Sequence, residues 1–144
     1  MTLETLMRDF VKTIIHDEVI IVRDWDWYCE PIGKICYIHY DMEDVNGEDV
    51  DFRRACQSVA TEPLPYMDIT LSLAHEAGHW LTREKYNTPE QLRMYKQQVN
   101  DCTYEEYFYL PAEIDATRAG VEWIITHPQE VEKFEKSCQN LLTN

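Results

Sequence analysis

The chain has 144 residues, with 27 acidic against 13 basic side chains and a net charge of −14. That length suits one domain, residues 1–144, able to bury a core without crosslinks, and the charge excludes binding to nucleic acid through a basic patch. Cys29, Cys36, Cys56, Cys102 and Cys138 are scattered without a C-x-x-C, and no apolar run reaches membrane-spanning length, so free thiols in a cytoplasmic, membrane-independent protein are expected.

The start, Met1 to Phe10, is amphipathic and lacks the pattern of a leader peptide. Leu3, Leu6, Met7, Phe10, Val11, Ile14 and Ile15 recur at helical spacing and predict a helix over 3–16 with one core stripe. The β-branched run Val19-Ile20-Ile21-Val22 predicts a strand. Pro31 and Gly33 mark a turn, and the alternation from Lys34 to Tyr40 predicts the next strand. Together they predict a small antiparallel sheet. In it, strand 34–40 either lies at the edge, aligning an extended substrate by strand addition, or is a plain core hairpin. The acidic run from Asp41 to Asp51 reads as a solvated loop, with attraction of a basic partner as the sharper alternative. Residues 52–60 predict a short helix, broken by Pro63 and Pro65, and Asp68 is the expected cap of the helix that follows.

That helix carries His75-Glu76-Ala77-Gly78-His79, an H-E-x-x-H pattern. Residues four apart share a helix face, so His75 and His79 can offer two imidazole nitrogens to one zinc ion. Glu76, one step round, is placed to act as general base. The flanks Ile69, Leu71, Leu73, Ala74, Trp80 and Leu81 are apolar, and burying two histidines and a glutamate among them is costly unless something satisfies them. Gly78 inside the helix is explained if another backbone comes close, such as a strand or an extended substrate.

A catalytic zinc needs a third protein ligand. Lys85 stands where a third histidine of the longer H-E-x-x-H-x-x-G-x-x-H pattern would fall. Downstream, Thr88-Pro89-Glu90-Gln91 opens a helix to about Val99, and Thr103-Tyr104-Glu105-Glu106 is a second capping box. Tyr104, Tyr107, Phe108 and Tyr109 form an aromatic cluster, mostly packing, from which one tyrosine could stabilise an oxyanion. Pro111 begins a further helix on which Glu113, Ala116, Thr117 and Gly120 share one face. Small residues there admit a second helix, and the one carboxylate can reach a metal held by it, so Glu113 is the chosen third ligand. As an isolated feature, Glu113 would be a first-turn acid complementing the helix dipole. Asp115 lies about 200° away around the helix, pointing elsewhere, with a supporting role as its option. His127 is the rival ligand, but it precedes Pro128 in an expected turn. Pro128 begins a last helix with Val131, Phe134, Cys138 and Leu141 on one stripe.

The pair of segments H-E-A-G-H and E-I-D-A-T-R-A, some thirty residues apart, resembles the ImmA/IrrE-type metallopeptidases over roughly residues 33–125. Glu113 and Ala116 match the second motif of that family. Thr117 stands where relatives tend to have Asn or Asp supporting a zinc histidine, and Ala119 where an aromatic is common. The resemblance implies an α+β, mostly helical, zincin-like minimal metallopeptidase core with its small sheet beside the H-E-x-x-H helix. It also implies a zinc-dependent endopeptidase acting on a specific intracellular protein, with basic DNA-binding regulators among the candidate substrates. His75, His79 and Glu113 would be the Zn2+ ligands and Glu76 the catalytic base. The alternative is an acidic phage or mobile-element inhibitor or adaptor that acts by binding, its zinc site structural or vestigial.

Overall fold

The computed structural model describes residues 1–45 and 47–143; Asn46, inside the acidic run, and Asn144 lie outside the described residues. The architecture is α+β, mostly helical, with one three-stranded sheet. Helix α1 (Leu3–Ile15) starts at Thr2, whose hydroxyl accepts from the Thr5 N–H, and buries the predicted stripe of Met7, Phe10, Val11, Ile14 and Ile15. It stops where His16 turns into the left-handed region, at φ 57°.

Three strands follow: β1 (Glu18–Asp24), β2 (Tyr28–Ile32) and β3 (Ile35–Asp41). Their spatial order is β1-β3-β2; β1 runs parallel to β3, with Val19 opposite Cys36, and β2 antiparallel, with Cys29 opposite Ile38. This corrects the expected sheet twice. The sheet is mixed rather than antiparallel, and the strand predicted at 34–40 is central, so both of its edges are paired and it cannot receive a substrate strand. Burial explains the position: Cys36, Ile38 and Tyr40 face the core, and His39 on the other face is covered as well. The edge strand beside the H-E-x-x-H helix is β2. Pro31 within it is compatible with an edge, where a missing N–H breaks no ladder bond.

Residues 25–27 carry the chain across the end of β3, a span of about 10 Å at ordinary strand spacing. Asp24 organises this crossing by accepting from the Trp25 N–H at 2.7 Å and the Tyr28 hydroxyl at 2.9 Å, and by pairing with His39 Nδ1 at 2.9 Å. Gly33, at φ 60°, makes the β2–β3 turn, where a side chain would be strained.

Helix α2 (Val50–Ser58) begins two residues earlier than expected because Asp49 caps it, accepting from the Phe52 N–H. Asp41 and Asp49 thus cap the starts of helical turns at the two ends of the acidic run, which is not a plain loop. Helix α3 (Asp68–Leu81) carries the H-E-x-x-H pattern and is buried over most of its length. Asp68 is not its cap. Met67 holds that position without a side-chain hydrogen bond, and Asp68 is drawn instead to the Arg53 guanidinium. The open helix start is satisfied from far away in sequence: Glu135 Oε2 accepts from the Met67 N–H and the Thr70 hydroxyl, both at 2.6 Å.

The remaining helices are α4 (Pro89–Asp101), α5 (Tyr104–Tyr107), α6 (Pro111–Thr126) and α7 (Pro128–Leu142). Both predicted capping boxes, Thr88 with Gln91 and Thr103 with Glu106, are formed. Phe10 of α1 stacks on Phe134 of α7 at 4.2 Å and meets Trp123 of α6 edge-on at 5.9 Å, which closes the core on that side. Among the described residues no helix is long and apolar enough to cross a membrane.

Candidate metal centre

The centre is built where α3 and α6 cross with their backbones in contact. A methyl group at Gly78 would sit 1.9 Å from the Ala116 carbonyl oxygen, and one at Gly120 would sit 2.1 Å from the Ala74 carbonyl oxygen. Only glycine fits at either point. The close backbone anticipated at Gly78 is therefore that of α6, not a strand or a substrate. The small face Ala116-Thr117-Gly120 lets the helices touch, and Glu113, one turn nearer the α6 start, is brought over His75 and His79.

His75 Nε2 and His79 Nε2 each lie 3.1 Å from Glu113 Oε1. A carboxylate only accepts, so imidazole Nε2–H groups donate to it. The spacing also approaches the separation of about 3.3 Å between donor atoms that zinc bonds of about 2.0–2.1 Å imply in a tetrahedral site. Two imidazoles and one carboxylate suit zinc chemically, so these residues fit such an ion on both counts. The ligand atoms of His75, Glu76 and His79 lie within 4.8 Å of one another, and that group could hold a metal ion. Glu113 is nearer to both histidines than that limit requires. Glu76 and Glu113 thus both bring a carboxylate to the histidine pair.

Supporting contacts fix the donors. His75 Nδ1 is 2.8 Å from Thr117 Oγ1, so threonine, standing where relatives tend to have Asn or Asp, is in hydrogen-bonding contact with His75. Phe52 meets the His75 ring edge-on at 5.4 Å. The Tyr95 hydroxyl donates to Glu113 Oε2 at 2.7 Å, occupying the carboxylate oxygen that does not face the histidines.

Burial sets the electrostatics. Glu113 is 1% exposed, Glu76 4% and His75 7%, while His79 is half-buried. Burial pushes the Glu76 carboxyl upward, against the opposing charges of His75 and His79. Burial also disfavours a Glu113 carboxylate, but its hydrogen bonds with His75 and His79 hold it well below the usual range. For His79 burial opposes the charged form, yet the bond to Glu113 and the nearby carboxylates raise it to about 9. One anion between two imidazoles is thus the charge arrangement the site prefers.

The other sequence candidates lie elsewhere. Asp115 pairs with Lys85 at 2.8 Å and Arg118 at 3.2 Å and accepts from Tyr86, so its suggested supporting role is not seen. Lys85 is accordingly a surface partner of α6. His127 stacks on Trp123 at 4.1 Å, with Nδ1 2.8 Å from the Trp123 carbonyl, and takes no part in the centre. Of the tyrosine cluster, Tyr104 binds Asp49 and Tyr109 is exposed; Tyr107 alone reaches the neighbourhood of the site, its hydroxyl 3.4 Å from that of Tyr95. Tyr95 itself carried no sequence signal, because it sits on a largely exposed helix 18 positions from Glu113. Comparison with protein-family models, with curated proteins and with solved structures finds no match to the chain.

Proposed function

We propose that the chain is a zinc-dependent endopeptidase with a zincin-like core, acting in the cytoplasm on a specific protein. The observation that carries this reading is the convergence of His75 Nε2 and His79 Nε2 on Glu113 Oε1 at 3.1 Å, with the Glu76 carboxylate buried beside them. His75, His79 and Glu113 would hold the ion, and Thr117, 2.8 Å from His75 Nδ1, would orient that ring. A zinc ion bound there supplies Lewis acidity toward a substrate carbonyl. Glu76 accepts the proton of the attacking water on a carboxylate oxygen and delivers it to the leaving amine. Burial pushes the Glu76 carboxyl upward, which makes it a stronger proton acceptor than an exposed glutamate. Strand β2, with one edge free in the sheet and α3 beside it, is the strand on which an extended substrate would align. The net charge of −14 favours a basic substrate, a DNA-binding regulator among the candidates. The resemblance of the two motifs to the ImmA/IrrE-type metallopeptidases supports the same reading.

The test is zinc analysis of the purified protein together with Glu76→Gln. The variant should bind zinc like the wild type and cleave nothing. Cleavage retained by a pure Glu76→Gln protein rules the mechanism out. The charge of −14 also suits a second reading, an acidic inhibitor or adaptor acting by binding. Stripping the metal with a chelator separates the two: an adaptor keeps its effect and a peptidase loses it.

A further inference from the structure

Helix α4 is held in an unusual way. None of its residues is buried, and Leu92 and Met94 project into solvent at 48% and 54% exposure. Between it and α5 lies an open depression of about 300 Å³ lined by Tyr95, Lys96, Val99, Asn100 and Tyr107. Apolar packing thus does little to fasten this helix. Its inward polar tie is the Tyr95 hydroxyl, which donates to Glu113 Oε2 at 2.7 Å and lies 3.4 Å from the Tyr107 hydroxyl. The carboxylate it binds is the one whose other oxygen faces both histidines.

We infer that Tyr95 is a positioning residue for the metal ligand Glu113, and that through it the docking of α4 is coupled to occupancy of the metal centre. The inference rests on the metal-centre reading and adds a residue and a linkage to it. The physical argument is short. A carboxylate free at both oxygens can rotate or grip an ion with both. Tying Oε2 to a phenol leaves Oε1 as the single donor, already aimed between the imidazoles. Hydrogen bonds to a ligating group of this kind fix its orientation, and losing one costs metal affinity. Linkage then requires the reverse effect: if a docked α4 improves metal binding, bound metal must improve docking by the same factor. Because so little else holds α4, that factor is visible in the motion of the helix.

The experiment uses the full chain, zinc in competition with a chromophoric chelator, and amide hydrogen exchange across residues 89–101. Zinc should slow exchange along α4 in the wild type. Tyr95→Phe should weaken zinc binding about 10- to 100-fold and abolish the zinc-dependent protection of α4. Met94→Ala, a neighbour on the exposed side, should change neither. Zinc bound by Tyr95→Phe as tightly as by wild type overturns the inference and leaves the metal centre standing. So does α4 exchange in the wild type that ignores zinc, a result that needs no variant to fold. Failure of the wild type to take up zinc at all defeats the metal-centre reading, and this inference with it.

Discussion

Helices α3 and α4 are nearly equal in length, 14 and 13 residues, and are opposites in what makes them helical. Helix α4 is specified locally. It has a proline at the first position, a complete capping box and a run rich in Gln, Leu, Arg, Met and Lys, all good helix formers. Helix α3 has threonine, two histidines and a mid-helix glycine, and no side chain caps it from its own N-cap. Yet ten residues of α3 are buried and none of α4. Burial, not propensity, holds the helix that bears His75 and His79, while the helix at its rim draws more on its own capping and propensity.

The contrast can be broken most severely at the α3–α6 crossing. Gly78→Ala or Gly120→Ala places a methyl inside a backbone carbonyl contact and should destabilise the fold by about 3 kcal/mol or more, read as a fall in the urea midpoint. A glycine replacement that left that midpoint unchanged would mean the helices do not touch there. Next in size is the metal. Zinc held at a hundredfold excess over its dissociation constant should stabilise the protein by about 2.7 kcal/mol. Chelation should remove that gain in the wild type and change nothing in His75→Ala, as thermal melts would report. Smaller again is the cap of α4. Thr88→Ala should cost about 1 kcal/mol, but as faster amide exchange near residues 89–92 rather than as a shift of the global melt. The smallest effect belongs to Leu92→Ser, expected within about 0.5 kcal/mol of wild type; a larger loss would show that α4 is packed more firmly than its exposure indicates.

The same division explains what could be read from the chain alone. Features that repeat at helical spacing or sit within four residues of one another were legible: the α1 stripe, both capping boxes, the H-E-x-x-H face, and the small face of α6 with Glu113 at its head. The close approach at Gly78 was legible as a need, though not which backbone would meet it. Long-range choices were hidden. Strand β2 contains Glu30 and Pro31, which weaken any strand pattern, and nothing local tells that β3 would pair on both sides. Asp68 looked like a cap because its partner, Arg53, lies in another helix. Tyr95 was invisible for the same reason: its role depends on a carboxylate in a different helix, and a half-buried tyrosine on an exposed helix carries no periodic mark.

The carboxylate of Glu135 finishes the first turn of α3 from the last helix of the chain, 68 positions after Met67. A ribosome therefore releases the helix that carries His75 and His79 long before Glu135 can reach that helix's beginning. A nascent chain stalled before residue 135 would present α3 with a frayed start.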